Sequence, residues 1–179
     1  MITFANIPKN NATTIAFGVK EIGPYYWIGS GNTCVRYYAG QTFKIPATGT
    51  LKKIKLFFSI VSGDPNTTLS IYSFDNFNYT FLEKFTEVKL AITKADENRW
   101  IDFNIPELPV KKDAYFAFKL SCNETGMLAI AECPWNIQNP YRDGVQWTGS
   151  SLNEAGSFSN DFDFAFEGEI ELSPNAQFI

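Results

Sequence analysis

Apolar and polar residues alternate with a period of two along most of this chain. In LKKIKLFFSI (51–60), Ile54, Leu56, Phe58 and Ile60 fall on one side and Lys53, Lys55 and Ser59 on the other. A half-buried strand has this pattern. RWIDFNI (99–105) places Ile101, Phe103 and Ile105 inward and Trp100, Asp102 and Asn104 outward, and YFAFKL (115–120) aligns Phe116, Phe118 and Leu120. In DFDFAFEGEIEL (161–172), Phe162, Phe164, Phe166, Ile170 and Leu172 share one parity, while Asp161, Asp163, Glu167, Glu169 and Glu171 share the other. That segment predicts a strand with an apolar face and a solvated acidic face.

Turn-forming clusters separate these runs: PATGT before residue 51, SGDPNTT at 62–68, ADEN at 95–98, CNETG at 122–126 and QNPYRDG at 138–144. Pro46, Pro106, Pro109 and Pro134 are expected at or just beyond strand ends, where a missing ladder donor costs least. No stretch of helical length keeps an i, i+3, i+4, i+7 apolar stripe. FLEKFTEVKLAI (81–92) comes nearest, but its alternation and β-branched residues favour a strand. The expectation is an all-β fold, an antiparallel two-sheet β-sandwich of jelly-roll type, over residues 36–179. Residues 1–35 alternate less regularly and carry the aromatic knot Tyr25, Tyr26, Trp27. They read as an irregular N-terminal arm with one or two short strands, packing on its own sandwich or on a neighbour.

Composition narrows the function classes. The 179 residues are 45% hydrophobic and 19% charged, with 17 Phe for a core, so a folded single domain is expected without disulfide staples. The net charge of −4 argues against a nucleic-acid partner, since phosphate binding relies on clustered Lys and Arg. The basic run at 52–56 reads as the outer face of a strand. Three cysteines, Cys34, Cys122 and Cys133, lack CxxC spacing and suggest neither a disulfide framework nor zinc. Residues 1–20 show no basic start followed by an apolar stretch, and no apolar run has the length of a membrane span. Synthesis in the cytoplasm without export or membrane insertion is the expectation.

Three segments together carry a resemblance: AGQTFKIPATGTLKKIKLFFS (39–59), RWIDFNIPELPVKKDAYFAFKL (99–120), and YRDGVQWTGSS (141–151) with DFDFAFEGEIE (161–171). They resemble a jelly-roll β-sandwich module recurrent in bacterial surface proteins and phage virion proteins. The likeness spans roughly residues 36–172 and leaves the arm unaccounted for. It implies a sandwich fold and a place on a virion or similar particle; it implies no chemistry.

Several residues are candidates for a site. Trp147 and Tyr141 offer aromatic faces for sugar rings, with Asp143 and Gln146 as hydrogen-bonding partners and Trp100 outward by parity. The alternative for Trp147 is packing under the sandwich rim, and the resemblance favours it by placing this residue at a recurring structural position. The acidic face of 161–171 suits either calcium or plain solvation; solvation is the simpler reading, and no metal or other cofactor is expected. Histidine is absent, which removes Ser-His and Cys-His dyads and histidine-bound metals. A glycosidase-type carboxylate pair remains, for which Glu132, sharing parity with Leu128 and Ile130, is the candidate; the simpler reading of Glu132 is a strand-end residue before Cys133 and Pro134. GSGN at 29–32 precedes a strand rather than a helix, so no phosphate loop is indicated.

The sequence thus points to a non-enzymatic structural or decorating component of a large particle, of phage capsid, tail or fibre type. Its expected partners are copies of itself or other particle proteins, bound through Tyr25, Tyr26 and Trp27. The alternative is a carbohydrate-binding module that meets surface glycans through Trp100, Tyr141, Asp143, Gln146 and Trp147.

Overall fold

A computed structural model describes residues 13–30, 34–123 and 126–173. They form twelve strands and one short 3₁₀ turn. In chain order the strands are β1 Thr14–Val19, β2 Tyr25–Gly29, β3 Tyr37–Lys44, β4 Gly49–Gly63, β5 Asn66–Asp75 and β6 Thr80–Ala91. After the turn at Lys94–Asp96 come β7 Arg99–Val110, β8 Tyr115–Cys122, β9 Gly126–Ala131, β10 Gln146–Ser150, β11 Asn153–Ser159 and β12 Phe166–Leu172. FLEKFTEVKLAI lies almost wholly in β6.

The hydrogen-bonded order is β1-β12-β4-β9-β2-β3-β8-β5-β6, with β7 on β4 and the β10–β11 hairpin attached to β3. Every pairing is antiparallel. The sheet curls back on itself to make a sandwich. Phe166 of β12 and Phe43 of β3 are separated along the path by three strands, yet their ring centroids lie 6.1 Å apart. Phe118 of β8 meets Phe166 at 6.0 Å. Phe43, Phe58, Phe103, Phe118, Phe164 and Phe166 are all fully buried in this core, where aromatic edges and faces add to the area removed from water.

Alternation predicts most of the core, and bulges account for the exceptions. Leu51, Ile54, Leu56 and Phe58 are buried, but Val61 rather than Ile60 continues the row. β4 carries one extra residue between Leu51 and Lys53 against β12 and one between Phe58 and Ile60 against β9, and each exchanges the two faces. Pro106 and Pro109 lie inside β7 rather than at its end. They are tolerated because, among the described residues, β7 pairs only with β4, so one edge asks for no donors.

The segment read as an arm enters the sandwich within its described part. β1 runs along β12 from Thr14↔Glu171 to Val19↔Phe166. β2 runs along β9 and touches β3 at Gly29↔Tyr37. Val19 and Ile28 belong to the common core. Residues 1–12 lie outside the described part.

The acidic face of β12 is not simply solvated, which corrects the expectation. β12 lies beside the basic run of β4, with Glu167 opposite Lys55 and Glu169 opposite Lys53. Glu167 is buried and ion-paired to Lys55 at 2.8 Å and to Lys20. Glu171 meets Lys52 at 3.4 Å, and Lys53 reaches Asp102 of β7 at 2.8 Å. Opposite charges directly across neighbouring strands stabilise the register. Among the described residues no three Cys, Asp or Glu side chains gather as a metal set.

Candidate functional site

The β10–β11 hairpin builds a slot for one indole. Its two-residue turn, Ser151-Leu152, closes the pair Ser150↔Asn153. Trp147 projects from β10 and is 1% exposed. Its Nε1 donates to the Ala155 carbonyl at 2.9 Å, so the polar end of the ring is satisfied. Small residues make the space: a Cβ on Gly149 would lie 2.6 Å from the indole Cζ2, and one on Gly40 would lie 3.1 Å from its Cε3. Phe81 of β6 closes the slot edge-on at 5.4 Å.

Lys119 of β8 lies against this slot. Its Nζ is 3.8 Å from the Phe81 centroid, 4.2 Å from that of Trp147 and 5.7 Å from that of Tyr72. Ring quadrupoles attract an ammonium at such distances. Burial pushes the lysine pKa down, and the carboxylate of Glu154 acts in the opposite direction. No ion pair of Lys119 is present among the described residues.

A second cluster sits where β9 and β12 diverge from β4, marked by the bridge Glu132↔Phe164. Glu132 Oε1 accepts from Gln146 Nε2 at 2.7 Å, and Oε2 accepts from Trp135 Nε1 at 3.0 Å. Asp163 Oδ1 accepts from Gln41 Nε2 at 2.7 Å, and Oδ2 accepts from the Tyr141 amide at 2.9 Å. Gln41 Oε1 in turn accepts from the Phe164 amide at 3.1 Å. Asp163 is 1% exposed, and burial pushes its pKa up to about 6 despite these two donors. All four carboxylate oxygens are committed to internal donors, so the cluster holds strands together and presents no free oxygen to a substrate. Glu132 is therefore a structural carboxylate rather than half of a glycosidase pair.

The outer face of β2 carries the aromatic knot. Tyr25 and Trp27 share a parity and form an edge-to-face pair at 5.6 Å, with Tyr25 44% exposed. Their partners across the ladder are the small side chains of Ala131 and Ala129, beside which Tyr25 is exposed and Trp27 half-buried. Tyr26 has the opposite parity and packs edge-on against Phe164 at 6.1 Å. Burial, with Tyr37 and Glu132 nearby, raises its pKa. Tyr26 is thus half-buried against the core, and strand alternation turns it away from the Tyr25–Trp27 face, which corrects its expected place among the anchors.

The five residues read as a sugar platform do not come together. Trp147 has no free face and Gln146 is buried on Glu132. The ring of Tyr141 packs edge-on against Phe166 at 5.0 Å, and burial raises its phenol pKa. Asp143 is exposed. Trp100 stands edge-on to Phe57 at 5.7 Å on the β4–β7 pair, beside Lys20, Lys55 and Glu167 rather than beside Trp147. This corrects the platform expectation: alternation shows which way a side chain points but not which strand covers it. Two features were missed. Lys119 reads as one solvated charge on an apolar strand, and only the covering hairpin makes it unusual. Trp135, 64% exposed and 5.8 Å from Phe162, lies in a turn where periodicity carries no signal.

No family model and no curated protein matches the chain. Among solved structures it is similar to a chain of the VP2 subviral particle of infectious bursal disease virus, at 14% identity and TM-score 0.37, covering 100% of this chain and 48% of that one. It is also similar to a chain of the Gx strain of that virus, at 14% identity and TM-score 0.34, covering 98% and 47%. A third, from the T13 viral particle, shows 12% identity and TM-score 0.35, covering 98% and 44%. The chain spans about half the length of these solved chains. Likeness at this level carries no argument about function. No helix among the described residues is long and apolar enough to cross a membrane.

Proposed function

We propose that the chain is a non-enzymatic structural or decorating component of a large particle, of phage capsid, tail or fibre type, which docks on further copies of itself through the outer face of β2. One observation supports this reading most: the Tyr25–Trp27 pair, 5.6 Å between centroids, is held outward on a strand bonded along its length to β9. Rings fixed this way lose little entropy on contact, and interface energy concentrates in such aromatic anchors.

Sedimentation velocity of the purified chain over a wide concentration range tests the docking face. Wild type associates with rising concentration, while Tyr25→Ser with Trp27→Ser stays monomeric with the same thermal midpoint. A wild-type chain that is monomeric throughout, or a double variant that associates equally well, contradicts the reading.

A further inference from the structure

The outer face of the β3-β8-β5 layer carries a cleft of about 270 Å³ beside the indole slot. Lys119 lines it together with Tyr38, Ser70, Tyr72, Ser121, Glu154 and Trp147. Register explains the grouping. Lys119 lies between Gly40 of β3 and Ser70 of β5, and the bare backbone of Gly40 lets Trp147 lean toward it. The rings of Phe81, Trp147 and Tyr72 surround the lysine ammonium itself, so it has a defined position although no ion pair of Lys119 is present among the described residues.

We propose that this cleft binds a single carboxylate-bearing sugar residue of the hexuronate class, with Lys119 taking the carboxylate. Four features of the cleft fit that ligand. Its volume, about 270 Å³, lies near the lower end of the range for small-molecule sites and suits one ring. The hydroxyls of Tyr38, Ser70, Tyr72 and Ser121 each donate and accept, which is what a ring of hydroxyls needs. Glu154 also lines the cleft and offers acceptor oxygens to sugar hydroxyls. Lys119 is the one cation lining the cleft, matching one negative charge, whereas a phosphate dianion would meet the Glu154 carboxylate with a charge left over. Burial lowers the lysine pKa, and an incoming carboxylate offsets that loss of hydration by pairing with the ammonium. This site lies on different strands from the Tyr25–Trp27 face, so its success or failure is independent of the assembly reading.

Ligand-observed NMR titration of the intact chain with methyl β-glucuronide tests the proposal, with methyl β-glucoside and inorganic phosphate as separate arms. The expected result is a Kd of about 1 mM for the glucuronide, weakened by salt, with the glucoside and phosphate at least about tenfold weaker. Lys119→Met, which keeps an apolar stem in the ring cage, weakens glucuronide binding at least about tenfold. Glu154→Gln removes the second charge and leaves glucuronide binding as tight or tighter, while its carboxamide still accepts hydrogen bonds. This variant serves should Lys119→Met fail to fold. Absence of glucuronide binding, equal binding of glucoside or phosphate, wild-type affinity in Lys119→Met, or a tenfold loss in Glu154→Gln each overturns the proposal.

Discussion

Trp147 and Gly156 face each other across the β10–β11 hairpin so closely that a Cβ on Gly156 would lie 2.4 Å from the indole Nε1. Gly156 also has φ +66°, a left-handed conformation that costs other residues about 1–3 kcal/mol. Gly156→Ala therefore combines backbone strain with a clash, and is expected to lower stability by more than that strain alone. Trp147→Ala should cost about 3–5 kcal/mol, the range for emptying a buried aromatic site. Urea unfolding of both variants measures this. A midpoint unchanged in either would mean that the indole is not seated in the slot.

The buried carboxylate of Asp163 gives stability a pH dependence whose sign follows from its pKa, pushed up to about 6 from 3.8. The folded state holds the proton more tightly than the unfolded chain. The stabilisation from this group is thus complete below the unfolded value and lost as pH rises through about 6. Asp163→Asn keeps one acceptor oxygen but cannot titrate, so the fall in stability between those two values should flatten. Thermal midpoints measured from pH 4 to pH 7 decide it, and identical slopes for wild type and variant would count against a buried, raised Asp163.

Glu132 and Trp135 share a hydrogen bond of 3.0 Å but differ in burial, which separates their roles. Glu132→Ala leaves the buried Gln146 amide without its 2.7 Å partner and is expected to cost about 1–3 kcal/mol. Trp135→Ala removes an exposed ring and should stay within about 0.5 kcal/mol of wild type. Chemical denaturation of the two single variants checks the contrast. Equal losses would show that the indole packs more deeply than its exposure indicates.

Cysteine reactivity offers a test of burial without mutation. Cys34 is exposed, whereas Cys122 and Cys133 are buried, with their thiols pushed up to about 12 chiefly by burial. A thiolate is the reacting form. A maleimide reagent at neutral pH should label the native chain at Cys34 alone and all three positions in denaturant, read by peptide mass spectrometry. Rapid native labelling of Cys122 or Cys133 would contradict the packing of β8 and β9.

Alternation made the sandwich legible because most strands have one dry face: Phe116, Phe118 and Leu120 of β8 are buried as their spacing predicts. It failed where a bulge changed the parity, as when Val61 replaced Ile60. It also failed where a second strand supplied the partner, as for the acidic residues of β12, which meet the lysines of β4. The site was less legible than the fold. Trp147 was read correctly as a packing candidate, yet the reason for its burial lies in Gly149, Gly156 and Phe81, which no local pattern connects. Lys119 shows the same limit, since its ring cage draws on β5, β6 and β10.

The central claim, membership of a large particle, is tested most directly by density-gradient sedimentation of the native protein from its source, with fractions identified by mass spectrometry. The account predicts that the chain travels at fixed stoichiometry with a megadalton-scale particle. Sedimentation as a free small protein would contradict it.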